Sequence, residues 1–285
     1  MPIVPMKKLL DHAIEHGYAV PSFCVWNTET MAAVVRVATR MRAPIILMAG
    51  ECEYAASSPG EVAATARGLV ELHGITTALH LDHGGSVERA RECLDAGYSS
   101  LMLDYSARPY DENVAALKEV VTMAHPADVT VEGELGAVGK VGDETAEGAH
   151  PSTLTDPDQA ADFVSSTGID CLAVSIGNAH GHYTALPKLD FDRLERIHRS
   201  VSVPLVLHGG SGTPDSDISR AIGLGIAKVN VATALVKPLR ESLMRQWQAG
   251  ERLWIPEAVG EAMKPVREAV AEWIVRVGAE GKAQR

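Results

Sequence analysis

Three histidines carry the strongest chemical signal in this chain. His83 follows the apolar run TALHLD, His208 closes VPLVLH, and His180 lies just beyond DCLAVSI within NAHG. Three neutral imidazoles around one divalent cation leave a fourth position open, which is the layout of catalytic zinc. A single histidine of this kind is usually a hydrogen-bonded polar residue beside a loop. Three at equivalent places favour a common site. Asp82 directly precedes His83. A carboxylate there can take a proton from a substrate hydroxyl, or equally hold an imidazole through its second nitrogen. His80, two residues earlier, is expected inside the fold, and His182 is the residue most easily confused with His180.

Glycine-rich turns form the second signal. HGGSG at 208–212 and NVAT at 230–233 follow consecutive apolar runs. Loops in such places often cradle phosphate with backbone amides and a short helix N-terminus. Gly209, Gly210 and Gly212 permit close approach, and Ser211 and Thr233 add hydroxyls. Unpaired amides supply the positive potential, so no Lys or Arg is needed. Asp104, Glu132, Glu134 and Asn230 are further polar residues in or at the ends of apolar runs.

These residues need a scaffold that brings strand ends together. Apolar runs alternate with helical stretches throughout. Strands are expected at 19–24, 44–49, 77–82, 99–104, 129–135, 170–176, 203–208 and 226–231. Helices are expected at 27–42, 59–73, 86–96, 111–124, 156–167, 190–200, 214–224 and 233–248, with Asn27 or Thr28 as a cap and Pro157 in a first turn. Continuous apolar strands separated by helices imply a parallel sheet covered on its faces. Eight such units match an α/β fold of the (β/α)8 TIM-barrel type, whose chemistry sits at the C-terminal ends of the strands. An open doubly wound sheet is the competing architecture, but PSFCVWNTET after the first strand lacks its glycine fingerprint. One barrel domain spanning 1–285 is expected, with a C-terminal helical extension at about 256–279 that caps the barrel or docks on another subunit. Gly136–Pro151 is a long polar, glycine-rich connection, and such loops are usually functional.

Composition bounds the partners. The chain has 285 residues, 46% of them hydrophobic, which excludes a disordered chain. Its net charge of −11, with no basic run, argues against nucleic acid and anionic membrane. No apolar run approaches a bilayer span, and Met1–Asp11 has no signal-peptide core. Cys24, Cys52, Cys93 and Cys171 form no CxxC and read as reduced thiols of a cytoplasmic protein.

The ordered set HLDHG (80–84), EGELG (132–136), IGNAHG (176–181), HGGSG (208–212) and KVNVAT (228–233) resembles the class II, metal-dependent ketose-bisphosphate aldolases of the fructose- and tagatose-bisphosphate types. The resemblance runs from PSFCVWNTET to the tail. It implies zinc on His83, His180 and His208, with Asp82 as the acid/base at the C4 hydroxyl. It implies an alternative or second divalent position at Asp104 and Glu134. Gly181, Gly209, Gly210, Ser211 and Thr233 then serve the donor phosphate, where a monovalent cation also binds, and Asn230 touches the ketone portion. The implied reaction is reversible cleavage of a phosphorylated ketose to dihydroxyacetone phosphate and an aldehyde, in a homodimer or homotetramer. Lys228 and Lys188 offer a rival Schiff-base chemistry that leaves the histidines unexplained.

Four positions depart from the family pattern. Phe23-Cys24 replaces a Phe-Asn pair, Met48-Ala49-Gly50-Glu51 lacks a serine, and Pro256-Glu257 replaces Pro-Arg. All three lie on the aldehyde side, so an acceptor other than glyceraldehyde 3-phosphate is expected. The fourth puts Gly142 at the register of a loop glutamate, leaving Asp143 or Glu144 to take its place. Two other readings follow: a metal-dependent lyase or isomerase of a phosphorylated sugar acid, and a non-catalytic sugar-phosphate binder.

Overall fold

The computed structural model describes residues 3–141, 152–181, 187–250 and 254–283. Asp143 and Glu144, together with His182, lie outside the described residues. Eight strands close into a parallel barrel: β1 (Val20–Cys24), β2 (Ile45–Ala49), β3 (Thr77–Gly84), β4 (Ser100–Leu103), β5 (Thr130–Leu135), β7 (Cys171–Val174), β9 (Leu205–Leu207) and β10 (Ile226–Val231). Their spatial order, β1-β10-β9-β7-β5-β4-β3-β2, joins the last strand to the first. Closure leaves no edge strand and sends alternate side chains inward along each strand. The protein is therefore a (β/α)8 TIM barrel, as the alternation implies, with an additional C-terminal helix.

The covering helices are α2 (Thr28–Met41), α3 (Pro59–His73), α4 (Val87–Asp95), α5 (Tyr110–Ala124), α6 (Pro157–Thr167), α7 (Phe191–Ser200), α8 (Asp215–Gly223) and α9 (Thr233–Gln248). Local chemistry starts several of them. The Asn27 side chain accepts from the Thr30 amide at the start of α2, Ser58 caps α3 in the same way, and Pro157 sits in the first turn of α6. The expected extension at 256–279 is α10 (Ile255–Arg276). Its buried face, Ala258, Ala262, Met263, Val266, Val270, Trp273 and Ile274, packs on α9 and α2. Trp273 is buried against its own barrel, whereas Trp247 and Trp254 are exposed.

The expected element set omitted α1 (Met6–His16). Met6, Leu9, Leu10 and Ala13 are buried in it, and Gly17 stops it in a left-handed conformation at φ 66°. The helix closes the barrel floor. The Lys7 amide donates to the Thr130 hydroxyl at 2.9 Å, and the Ser100 hydroxyl meets the Met6 sulfur at 3.5 Å, both at strand N-termini.

Two short strands lie outside the barrel. β6 (Gly139–Val141) and β8 (Ala179–Gly181) pair in parallel, with Lys140 opposite His180. The segment entering the long loop is thus stitched to the segment bearing His180. No helix among the described residues is long and apolar enough to cross a membrane, and none of the four cysteines is in a disulfide.

Candidate active site

Each proposed ligand is delivered by a local backbone device. On β3, Leu81 pairs with Leu101 but Gly84 pairs with Leu103, so β3 carries one extra residue. Such a bulge re-aims side chains at the rim of a barrel. His83 occupies it at φ 45°, a left-handed conformation unusual for a residue with a side chain. His208 leaves β9 directly before Gly209, whose φ is 65°. A Cβ on Gly209 would lie 1.9 Å from the Ala179 carbonyl oxygen, so the His208 turn can pack on the His180 segment only with glycine there. Asn178 braces the same junction. Its amide donates to the His208 carbonyl at 3.0 Å, while its oxygen accepts from the Ile176 amide at 2.8 Å.

The three imidazoles converge. Ring centroids are 4.8 Å apart for His83–His180, 4.6 Å for His83–His208 and 5.6 Å for His180–His208. One nitrogen from each lies within 4.8 Å of the others. Asp104 Oδ2 sits 2.7 Å from His83 Nδ1, and Glu132 Oε1 sits 2.9 Å from His208 Nε2. A carboxylate only accepts, so both of those ring nitrogens donate. His83 Nε2 and His208 Nδ1 then face each other at 2.9 Å. Either a proton on the His83 ring or a metal ion can stand between those two nitrogens, and with His180 beside them the donor set fits a divalent cation.

The carboxylates around the rings favour positive charge there. Burial alone would lower His83, but the Asp82 carboxylate and the Asp104 hydrogen bond lift it to about 10. Burial and the neighbouring His83 hold His208 well below the ordinary histidine range. Burial would raise Asp82, yet His83 and His208 outweigh it and keep the carboxylate ionised. Asp82 Oδ1 accepts from the Asn230 amide at 2.9 Å, and the buried Asn230 Oδ1 has no hydrogen-bond partner among the described residues. Of the two uses open to Asp82 on sequence, bonding an imidazole falls to Asp104 instead.

Asp104 and Glu134 also form a second cluster with His83, whose ligand atoms lie within 4.8 Å of one another. The Ser106 amide and hydroxyl bind the other oxygen of Asp104 at 3.1 and 2.7 Å. Burial and the nearby Asp104 push Glu134 up to about 8. The expected phosphate loop is a single turn, Gly210–Gly212, packed beside α9, and Ser211 Oγ accepts from the Ala234 amide at 3.3 Å. Gly181 ends β8 at φ 99°, and Thr233 opens α9.

Three residues to which the sequence assigned no part in holding the histidines belong to the site's frame: Asn178, Glu132 and Lys228. Glu132 and Glu134 are two apart on β5, a spacing that places both on the inner face. Lys228 Nζ lies 2.8 and 3.1 Å from the Glu132 oxygens and is fully buried. An ammonium so paired is a poor nucleophile, which disfavours the Schiff-base alternative at that lysine.

Converging imidazoles beside an ionised aspartate at a barrel mouth could hold a divalent cation. The model of the family "Fructose-bisphosphate aldolase class-II" matches residues 4–282, and the chain belongs to that family. The chain is 42% identical over 284 residues to the D-tagatose-1,6-bisphosphate aldolase subunit GatY of Klebsiella oxytoca, covering 98% of this chain and 99% of that protein. Its structure is similar to that of the YdjI aldolase of Escherichia coli K12, with a TM-score of 0.87 and 34% identity over 99% of this chain and 100% of the other. The protein is an aldolase, an aldehyde-lyase that performs retro-aldol cleavage.

Proposed function

We propose that this chain is a zinc-dependent aldolase of a phosphorylated ketose, built as one barrel domain, that releases dihydroxyacetone phosphate and an aldehyde without a second phosphate. The observation that carries the reading is the convergence of one nitrogen from each of His83, His180 and His208 within 4.8 Å of the others, with Asp82 adjacent in sequence. His83, His180 and His208 would hold the zinc, and Asp104 with Glu134 would supply an alternative or second divalent position. A bound zinc supplies Lewis-acid polarisation of the ketose carbonyl.

The chain's own residues do the rest. Asp82 takes the proton from the C4 hydroxyl as the C3–C4 bond breaks, and C4 becomes the aldehyde carbon. The bond's electron pair stays on C3, which is reprotonated from Asp143 or Glu144. The orphaned Asn230 oxygen accepts a hydroxyl of the ketone portion. Gly181, Gly209, Gly210, Ser211 and Thr233 hold the donor phosphate, with a monovalent cation alongside. Homo-oligomeric assembly, as a dimer or tetramer, fits the exposed Trp247 and Trp254.

The acceptor assignment rests on β1 and β2. The Cys24 thiol donates to Glu53 Oε1 at 3.2 Å, and Glu53 Oε2 accepts the Gly50 amide at 2.8 Å. Burial and the Glu53 charge push the Cys24 thiol well up, so it stays protonated. The backbone amide at the end of β2 is therefore already spent on a carboxylate, and that carboxylate repels a phosphate. Glu257 carries less of the argument, because a negative charge in the first turn of α10 is favourable for the helix itself.

Steady-state kinetics with stoichiometric zinc test the reading. Cleavage of ketose 1-phosphates well above the 1,6-bisphosphates is expected, and the reverse preference overturns the acceptor assignment.

A further inference from the structure

A line of buried polar groups crosses the barrel interior from floor to mouth. Ser100 Oγ lies 2.8 Å from His80 Nδ1, and His80 Nε2 lies 3.2 Å from Lys228 Nζ. Lys228 is paired with both oxygens of Glu132, and Glu132 Oε1 meets His208 Nε2 at 2.9 Å. The Cys171 thiol reaches Glu132 Oε2 at 3.7 Å, and His80 Nε2 lies 3.6 Å from the same oxygen. Ser100, His80, Glu132, Lys228 and His208 are all fully buried.

An ion pair in such a place is costly. Removing each charge from water costs several kcal/mol, and well-packed apolar residues of similar volume are often as stable or more so. Packing therefore does not explain Glu132 and Lys228. Their third partner does. With two ammonium contacts, Glu132 is a carboxylate and can only accept from His208 Nε2. That bond fixes both the ring's rotation and its tautomer, and it leaves Nδ1 as the one nitrogen directed at His83 and His180. Without it the imidazole could place its proton on Nδ1, the nitrogen a cation needs.

We infer that Glu132, held in turn by Lys228, is a positioning residue that fixes His208 in the Nε2–H form with Nδ1 as its ligand atom. The inference rests on the zinc reading above. Glu132 acts on substrate only through His208, and it stands behind the ligand as Asp104 stands behind His83. Partners of this kind change metal affinity by about 10–100-fold when removed.

Zinc competition against a chromophoric chelator tests it on the full-length enzyme. In the double variant Glu132→Leu with Lys228→Met, zinc affinity should fall about 10–100-fold. In Glu132→Gln with Lys228→Met, an acceptor for the imidazole N–H remains, and most of the affinity should return. Wild-type affinity in a folded Leu/Met double variant overturns the inference. Should that variant not fold, long-range proton–nitrogen correlation on the zinc-loaded wild-type enzyme decides. A proton on His208 Nε2 supports the inference, and one on Nδ1 overturns it. His208→Ala separates the two levels. If it binds zinc as tightly as wild type, the zinc reading itself fails and takes this inference with it, whereas the Leu/Met result bears on Glu132 alone.

Discussion

Replacing Gly209 by alanine attacks the site through backbone geometry alone. Its φ of 65° costs an alanine about 1–2 kcal/mol. The added methyl would lie 1.9 Å from the Ala179 carbonyl oxygen and 3.2 Å from the His180 amide nitrogen, where ordinary contact begins at 3.4 Å. Both obstacles are backbone, so no side chain can swing aside. Overpacking of this sort costs about 1–3 kcal/mol, and relief requires the His208 turn to move off the His180 segment by roughly 1 Å. A displacement of that size at a catalytic constellation costs about 100-fold in rate. We therefore expect Gly209→Ala to lose about 2–5 kcal/mol of stability and at least about 100-fold in kcat/KM, with weakened zinc binding. Calorimetry, aldehyde release and chelator competition read the three effects. Gly68→Ala is the matched control, since its methyl meets nothing within 4 Å and it lies in α3. It should gain about 0.5–1 kcal/mol with unchanged kinetics. If Gly209→Ala behaves like that control, the coupling between the two ligand segments is refuted.

Asp104→Ala leaves His83 Nδ1 without its carboxylate, and zinc affinity should fall about 10–100-fold by chelator competition; unchanged affinity would remove Asp104 from the site's support. Cys24→Asn combined with Glu53→Gln removes the carboxylate that occupies the Gly50 amide, and the ratio of kcat/KM for bisphosphate over 1-phosphate substrates should rise by about tenfold or more. No change in that ratio would place acceptor selection elsewhere. Burial pushes Tyr18 up to about 12 from its ordinary value near 10, so the folded state keeps a proton that the unfolded state releases between those values. Its contribution is whole below pH 10 and lost as pH rises towards 12; Tyr18→Phe should flatten that decline in a denaturation series, and an equally steep decline would contradict it.

Much of the architecture is legible because a parallel barrel repeats one rule. The strands around TALHLD, EGEL and KVNV carry inward residues at every second position, and Asn27 as a cap and Pro157 in a first turn announce their helices. The histidines are legible for the same reason, since strand ends must meet at one mouth. What the sequence hides is register and backbone detail. Glu132 and Lys228 are 96 positions apart, and only the stagger of a closed sheet brings them to 2.8 Å. The bulge that turns His83 towards His208 has no sequence mark beyond Gly84, whose Cβ would lie 2.6 Å from the Met102 carbonyl oxygen. The helix at Met6–His16 did leave a trace in Met6, Leu9, Leu10, Ala13 and Gly17, but strand–helix alternation does not require an element before its first strand.

The central claim concerns a zinc ion seated among His83, His180 and His208. Anomalous diffraction at the zinc edge, on crystals of enzyme assayed before and after chelation, tests it most directly. The account predicts one peak among the three imidazoles and cleavage that disappears with chelation and returns with zinc. Full turnover of enzyme stripped of metal, or a peak away from those rings, would contradict it.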